Sequence, residues 1–353
     1  MQIKIFEELD ACDPEWRELE RTAPIYPFQR REWLRAWQET IGRHIKVRPM
    51  IACVYAAGGE PALLCPLGLQ TSFGLRRLVW LGKPVSDYQG PLISPRFEGM
   101  QPAGGFPVLW QAILDKLRRI DLIDFAHQPA DFHGRENPFL TLPHTVHPYE
   151  AHAAQLSGNW PSYYRNHAGS SYRESMRRKN SGLAKLGAVE LRIADSEQRA
   201  AEWTELMLAH KKKQYEGLGL WPAMEPLVRS GFYQQATRAL EAAGLLHLSV
   251  LMVGDDVAAV HWGIADGKTF YWLMPTYDRE RWGRYSPGVI LLERLMEWCL
   301  QQGFTRFDFT VGNESYKDRW ATIKKPIFAT SAALTLKGKG FVAIRRLREK
   351  LRK

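Results

Sequence analysis

A carboxylate, a phenol and an ammonium fall within ten residues of one another late in this 353-residue sequence: Asp308, Tyr316 and Lys317. Asp308 stands between Phe307 and Phe309 in an apolar run, and Gly312-Asn313 turns the chain before Tyr316, Lys317 and Arg319. An acid inside an apolar strand is either satisfied by backbone and arginine partners or held for chemistry. An active-site rim and structural ion pairing both account for the pattern. Upstream, Arg281 and Arg284 precede Tyr285, Ser286, Pro287 and Gly288, which open an amphipathic helix. Ser286 suits the N-cap, Pro287 the first helical position, and Gly288 removes bulk where the backbone turns in. Such a start presents backbone N–H groups and the positive end of the helix dipole, a ready phosphate site to which the two arginines would add contacts. A well-capped surface helix with two solvated arginines is the other reading. There is no Gly-x-Ser-x-Gly motif and no cysteine near this region, so nothing points to a covalent mechanism through a serine or cysteine nucleophile.

The elements that must position these residues follow from periodicity. In the first half the spacing predicts a strand over residues 3–6, helices from about residue 14 and over 31–39, and strands over 47–55, 62–70 and 78–81. Gly58-Gly59 marks a hairpin between the first two of those later strands. A helix over 108–119 and a strand over 122–125 follow. Residues 126–152, rich in Pro, His and Asn, read as a connector and a domain boundary. In the second half a basic helix over 171–186 leads to a strand over 189–193, then helices over 196–214 and 231–243. Strands over 246–253, 257–264 and 269–274 are joined by Gly-Asp-Asp and Ala-Asp-Gly turns. A helix over 287–302 and a strand over 306–309 complete a mixed α/β sheet.

Composition narrows the class. Hydrophobic content of 45% with 24% charged residues is that of a globular chain, and its length suits two domains. No run of about 20 apolar residues exists to span a membrane, and the N-terminus reads as a strand, so a soluble, cytoplasmic protein is expected. Cys12, Cys53, Cys65 and Cys299 lie far apart with no C-x-x-C pair, which fits a reducing compartment. His144, His147 and His152 flank Glu150 at ligand-like spacing, yet they sit in the connector and no metal is expected. The net charge of +10 concentrates in residues 337–353, where eight basic residues face one acid, Glu349. Phe341, Ile344, Leu347 and Leu351 share one helical face there, with Arg345, Arg346, Arg348, Arg352 and Lys353 around it. An interfacial helix at anionic lipid and a docked terminal helix with a wet basic side both fit.

Tyr-Ser-Pro-Gly before an apolar helix, then Phe-Asp-Phe-x-x-Gly-x-x-x-Tyr-Lys, resembles the signature of the CelD-like branch of the GNAT superfamily, related to the FemAB transferases. Val257-Ala-Ala-Val-His-Trp-Gly, residues 271–278 and the basic helix with Arg173, Arg177 and Arg178 resemble the same pattern. The likeness covers about residues 160–328; the first half is similar more weakly, through Pro66-Leu, Trp80-Leu-Gly and Ser86-Asp87-Tyr88. The resemblance implies two tandem GNAT-like domains, each a mostly antiparallel mixed sheet flanked by helices: residues 1–152 on the acceptor side, 153–328 catalytic, and a basic tail, 329–353, packed on the first. It implies an acyl-CoA co-substrate, acetyl-CoA first, with its pyrophosphate on Arg281, Arg284, Tyr285, Ser286 and Gly288. Proline where the usual Arg/Gln-x-x-Gly-x-Gly/Ala loop has its first glycine departs from the superfamily pattern.

On that resemblance Lys317 stabilises charge on the carbonyl oxygen, Asp308 or His261 takes the amine proton, and Tyr316 returns a proton to the thiolate. A histidine on a strand is more often a core residue, so His261 has a second reading. The expected acceptor is a small-molecule or lipid-linked amino sugar of a surface polysaccharide, held by Arg173, Arg177, Arg178, Trp221 and Trp262. A solvated helix face explains the arginines equally. Peripheral contact with the inner face of the membrane would come from the tail. An aminoacyl-tRNA-dependent transferase and a non-catalytic module of a polysaccharide assembly complex remain as rivals.

Overall fold

The fold was taken from a computed structural model, which describes residues 2–351 except 101, 118 and 229; side chains are described up to residue 344, residue 228 apart. The chain divides into two compact units, residues 1–150 with 325–353 and residues 151–324. Both are mixed α/β.

In the first unit prolines decide the sheet architecture. The apolar run 47–55 breaks after Pro49 into Val47–Pro49 and Ile51–Tyr55, and the run 62–70 breaks at Pro66 into Pro61–Cys65 and Leu67–Ser72. A proline has no N–H for the ladder, which favours a break in pairing at these two points. The pieces then separate. Ile51–Tyr55 and Pro61–Cys65 pair with each other in a four-stranded sheet with Gln2–Phe6 and Leu92–Ile93. Val47–Pro49 and Leu67–Ser72 pair in another sheet, continued by Leu75–Trp80, Leu122–Pro129 and Ile323–Ala333. Part of the expected connector is therefore strand, and residues 325–353 lie in this first unit. The basic tail forms the helix Leu336–Leu351. Phe341 lies under the Arg77 guanidinium, 6.0 Å from its ring centroid, and Ile344 is exposed. The side chains of Arg345, Arg346, Leu347, Arg348 and Leu351, and all of Arg352 and Lys353, lie outside the described residues.

The second unit has the strand order Val189–Ile193, Leu246–Val253, Asp256–Asp266, Thr269–Tyr277, Arg306–Val311, then the end of Thr145–Gln155. All neighbours are antiparallel except Thr269–Tyr277 and Arg306–Val311, which run parallel across the helix Pro287–Gln301. Side chains alternate across the sheet. Leu251, Phe270, Trp272 and Phe307 pack in one core with Leu291 and Leu295 of the Pro287 helix. Trp262 turns the other way, and its indole N–H donates to Thr237 of the helix Phe232–Ala242 at 2.9 Å. All four cysteines are free and buried. No described helix is long and apolar enough to cross a membrane.

Candidate active site

The parallel pair supplies the opening. Thr269–Tyr277 and Arg306–Val311 are in register only from Thr269↔Arg306 to Tyr271↔Asp308. Beyond that point each runs on paired to its outer neighbour, to Ala259↔Tyr277 on one side and Ala151↔Val311 on the other. Two strands of one sheet thus part in its middle, between 272–277 and 309–311. Backbone N–H and C=O groups face an opening there, where an extended ligand can complete the ladder.

The helix Pro287–Gln301 starts beside one of these strands: a Cβ on Gly288 would lie 3.2 Å from Tyr277 Cδ1. Ser286 stands at the N-cap as expected but is left-handed, at φ 52° and ψ 54°, and makes no capping bond. Its hydroxyl instead accepts from Lys179 Nζ at 2.8 Å. Val289 and Ile290 both donate to the Ser286 carbonyl, so Gly288 presents its amide at the tip of the helix. Arg281 does not serve this tip: its guanidinium forms a two-pronged ion pair with Asp256 and lies 4.6 Å from the Trp282 ring centroid. Arg284 lies over Tyr285 at 4.7 Å, and Tyr285 packs where Gly182 of the basic helix leaves room. Lys179 is a cation that does reach the tip.

Asp308 is fully enclosed. One carboxylate oxygen accepts from Thr310 N–H at 2.8 Å and the other lies 3.2 Å from Arg306 Nη2. Thr310 has a positive φ of 58°, and the pairing with Thr145–Gln155 slips by one residue at Phe309. Asp308 thus clamps a bulge, which bends the strand where it leaves its parallel partner. His261 is also fully enclosed. Its ring stacks on Trp272 at 4.3 Å, Nε2 accepts from Leu273 N–H at 3.3 Å, and burial, with His247 beside it, holds its pKa well below the usual range. Neither group can take a proton directly from an acceptor.

The rim that remains is Tyr316, Lys317 and a residue the sequence reading passed over, Glu314. Lys317 is 2% exposed, and its Nζ donates to the Val311 carbonyl at 3.2 Å and lies 2.8 Å from Glu314 Oε2. Gly312, at φ 143°, permits this: a Cβ there would stand 2.8 Å from Lys317 Nζ. Burial would raise the Glu314 pKa, but the Lys317 ammonium brings it below the usual range. Tyr316 Oη accepts from the Trp272 indole at 3.1 Å, and burial keeps it a phenol.

The expected acceptor residues do not converge. Arg173 closes the preceding helix, donating to the Ala168 carbonyl at 2.5 Å. Arg178 pairs with Glu174 one turn back, and Arg177 is exposed. Trp262 is enclosed and offers no face to a cleft, whereas Trp221 is partly exposed with Lys212 Nζ 5.8 Å from its ring centroid. Lys211 was also missed. It follows Ala200, Thr204 and Met207 at helical spacing on the buried face of Glu197–Gly217, the signal that marks it. Among the described residues no group of three or more His, Cys, Asp or Glu could hold a metal ion.

Residues 170–318 match the family model of an acetyltransferase (GNAT) domain. The solved structure of FemX is similar at a TM-score of 0.63 and 11% identity, over 95% of this chain and 98% of that chain. The C-terminal domain (DUF2156) of a putative lysylphosphatidylglycerol synthetase from Agrobacterium fabrum gives 0.53 at 8% identity, over 96% and 95%. A tandem GNAT protein from the clavulanic acid biosynthesis pathway gives 0.50 at 12% identity, over 94% and 98%. These likenesses establish the fold, two GNAT-like domains in one chain. A search of curated protein sequences finds no match.

Proposed function

We propose that the chain, whose residues 170–318 match the model of an acetyltransferase (GNAT) domain, is an acyl-CoA-dependent N-acyltransferase. Its donor is acetyl-CoA and its acceptor an amino group, that of an amino sugar in envelope or exopolysaccharide synthesis. The observation that carries this reading is the parting of the two parallel strands beside a helix tip furnished with Lys179, Ser286 and Gly288. The tip suits a pyrophosphate, and the gap suits the amide-bearing arm that leads from it to a thioester. Lys179 takes the place assigned from sequence to Arg281.

A thioester is already activated, so the work is positioning and charge stabilisation. The acceptor amine attacks the carbonyl carbon, the C–N bond forms, and Lys317 stabilises the negative charge on oxygen. As the C–S bond breaks, Tyr316 gives its proton to the departing thiolate and regains one from the acceptor ammonium. Asp308 is a positioning residue in this reading: it fixes the bulge from which the Gly312 turn and Lys317 follow.

The test is incubation of the chain with acetyl-CoA and a panel of amino sugars, read by free thiol and by mass spectrometry of the products. N-acetylated product is expected, and lost in Lys317→Met. Transfer from aminoacyl-tRNA but not from acetyl-CoA would replace this reading with the tRNA-dependent one. Neither donor bound would leave a non-catalytic module.

A further inference from the structure

In the first unit, the strands from Val47–Pro49 to Ile323–Ala333 turn or stop together at one end of their sheet. Leu67–Ser72 and Leu75–Trp80 join there through a two-residue turn, Phe73-Gly74. Val47 pairs with Gln70, and the Gln70 side-chain amide donates to the Ile45 carbonyl at 3.2 Å, so residues 43–46 lie at the same end. Asp121 N–H donates to the Arg76 carbonyl and Leu334 N–H to the Asp121 carbonyl, each at 2.9 Å, which brings in residues 119–121 and the close of Ile323–Ala333. The helix Leu336–Leu351 starts here too, with Lys337 Nζ donating to the Gly74 carbonyl at 2.6 Å.

Both turn residues have positive φ, 49° at Phe73 and 67° at Gly74, the type I′ geometry that Asn-Gly fills best and that a bulky side chain adopts against its preference. No internal packing offsets the strain, because Phe73 is fully exposed. Leu336, next to Lys337, is 85% exposed, and Ile45 is exposed as well. Single exposed apolar residues are ordinary, whereas three gathered at one sheet end mark a contact surface. The charged residues of segments 43–46, 72–77, 119–121 and 334–344 are Arg43, Lys46, Arg76, Arg77, Arg119, Lys337 and Lys339, against one acid, Asp121. Asp121 is taken by Arg76 and Thr335, at 3.3 and 2.9 Å. Arg43, Lys46, Arg119, Lys337 and Lys339 are all exposed.

We propose that this end of the first unit docks on an anionic lipid bilayer, with Phe73, Leu336 and Ile45 entering the headgroup boundary and the surrounding cations meeting lipid phosphates. Apolar side chains ringed by lysine and arginine match both layers of such a surface. Leu336 and Ile45 are aliphatic, which suits hydrocarbon; single-stranded nucleic acid would call for aromatic platforms under its bases. A second copy of the same patch is disfavoured, because two faces of one charge repel. The docking surface is independent of the acyltransferase reading. It also differs from a tail lying flat on lipid: Phe341 of the tail turns towards Arg77, and the anchor is the hairpin residue Phe73.

Sedimentation of the full chain with phosphatidylcholine vesicles, with and without phosphatidylglycerol, tests this with no donor or acceptor present. Binding is expected only to vesicles that carry phosphatidylglycerol, and it should weaken as salt is raised. Phe73→Asn puts the preferred residue in the turn, so its unfolding midpoint should hold or rise while vesicle affinity falls about tenfold, the effect of withdrawing one large apolar side chain. Phe73→Leu should keep most of the affinity. Lys46→Gln/Lys339→Gln should lower affinity for the anionic vesicles about tenfold. Equal sedimentation by the unaltered chain and Phe73→Asn would overturn the proposal, as would equal affinity for neutral and anionic vesicles. A dimer or a tRNA complex that these variants abolish, in a chain that binds no vesicle, would overturn it in favour of that partner.

Discussion

At the scale of single residues, Lys211 is an amine held against burial. Burial pushes its pKa down from 10.5 to about 8, with Glu314 opposing. The unfolded chain therefore binds more protons than the folded one between those values, so this residue's cost to folding is complete below about pH 8 and fades as pH rises towards 10.5. Glu314, which pairs with Lys317 at 2.8 Å, supplies the opposing charge. Lys211→Met should then stabilise the fold at pH 7 by about 1–3 kcal/mol, with the gain shrinking at pH 10; urea unfolding at the two pH values measures it. A lysine engaged only in structural pairing would give a loss instead. Lys179→Ala makes the complementary prediction: the fold stays, and affinity for coenzyme A falls about tenfold, on the order of one charge-assisted contact, read by calorimetry. The types of these residues were visible in the sequence but their directions were not. Asp308, His261 and Trp262 sit in strands where alternation defines two faces without saying which one opens on a ligand, and all three proved enclosed. Arg173, Arg177 and Arg178 showed a basic helix, yet Lys179 is the one whose helical phase brings it to Ser286.

At the scale of elements, the meander over 246–277 was legible because its turns and its alternation agree, and the strands Leu246–Val253, Asp256–Asp266 and Thr269–Tyr277 match it closely. The Pro287 helix was legible from Pro and Gly at its start. What the sequence could not show was the left-handed Ser286, whose hydroxyl accepts from Lys179 of a distant helix. Nor did periodicity show that Pro49 and Pro66 send neighbouring strand pieces into different sheets, or that Thr145–Gln155 and Ile323–Ala333 are strands. The last two carry prolines and charged residues that hide their pattern. The bulge at Phe309 and the turn at Gly312 act as one device, since the acid of the first and the glycine of the second fix where Lys317 lies. Gly312→Ala places a Cβ against the Lys317 ammonium at a φ that favours glycine, and should cost about 1–3 kcal/mol of stability. Thermal unfolding, with acetyl transfer measured on the same sample, tests it. Activity should fall further than stability explains.

At the scale of the whole molecule, the net charge of +10 is carried disproportionately by residues 337–353, whereas the proposed chemistry lies in the second unit. Ending the chain after Ile344 should therefore leave coenzyme A affinity unchanged and reduce sedimentation with anionic vesicles, if the tail serves a lipid surface. Unchanged sedimentation would assign it to packing in the first unit alone. The central claim concerns the gap between the parallel strands and the helix tip beside it. Calorimetric titration of the full chain with acetyl-CoA tests it most directly, set against Gly288→Val, whose side chain would meet Tyr277 at that tip. The account predicts one saturable site for the unaltered chain, weakened at least about tenfold in the variant while its unfolding midpoint holds. Absence of binding, or equal binding by both proteins, would contradict it.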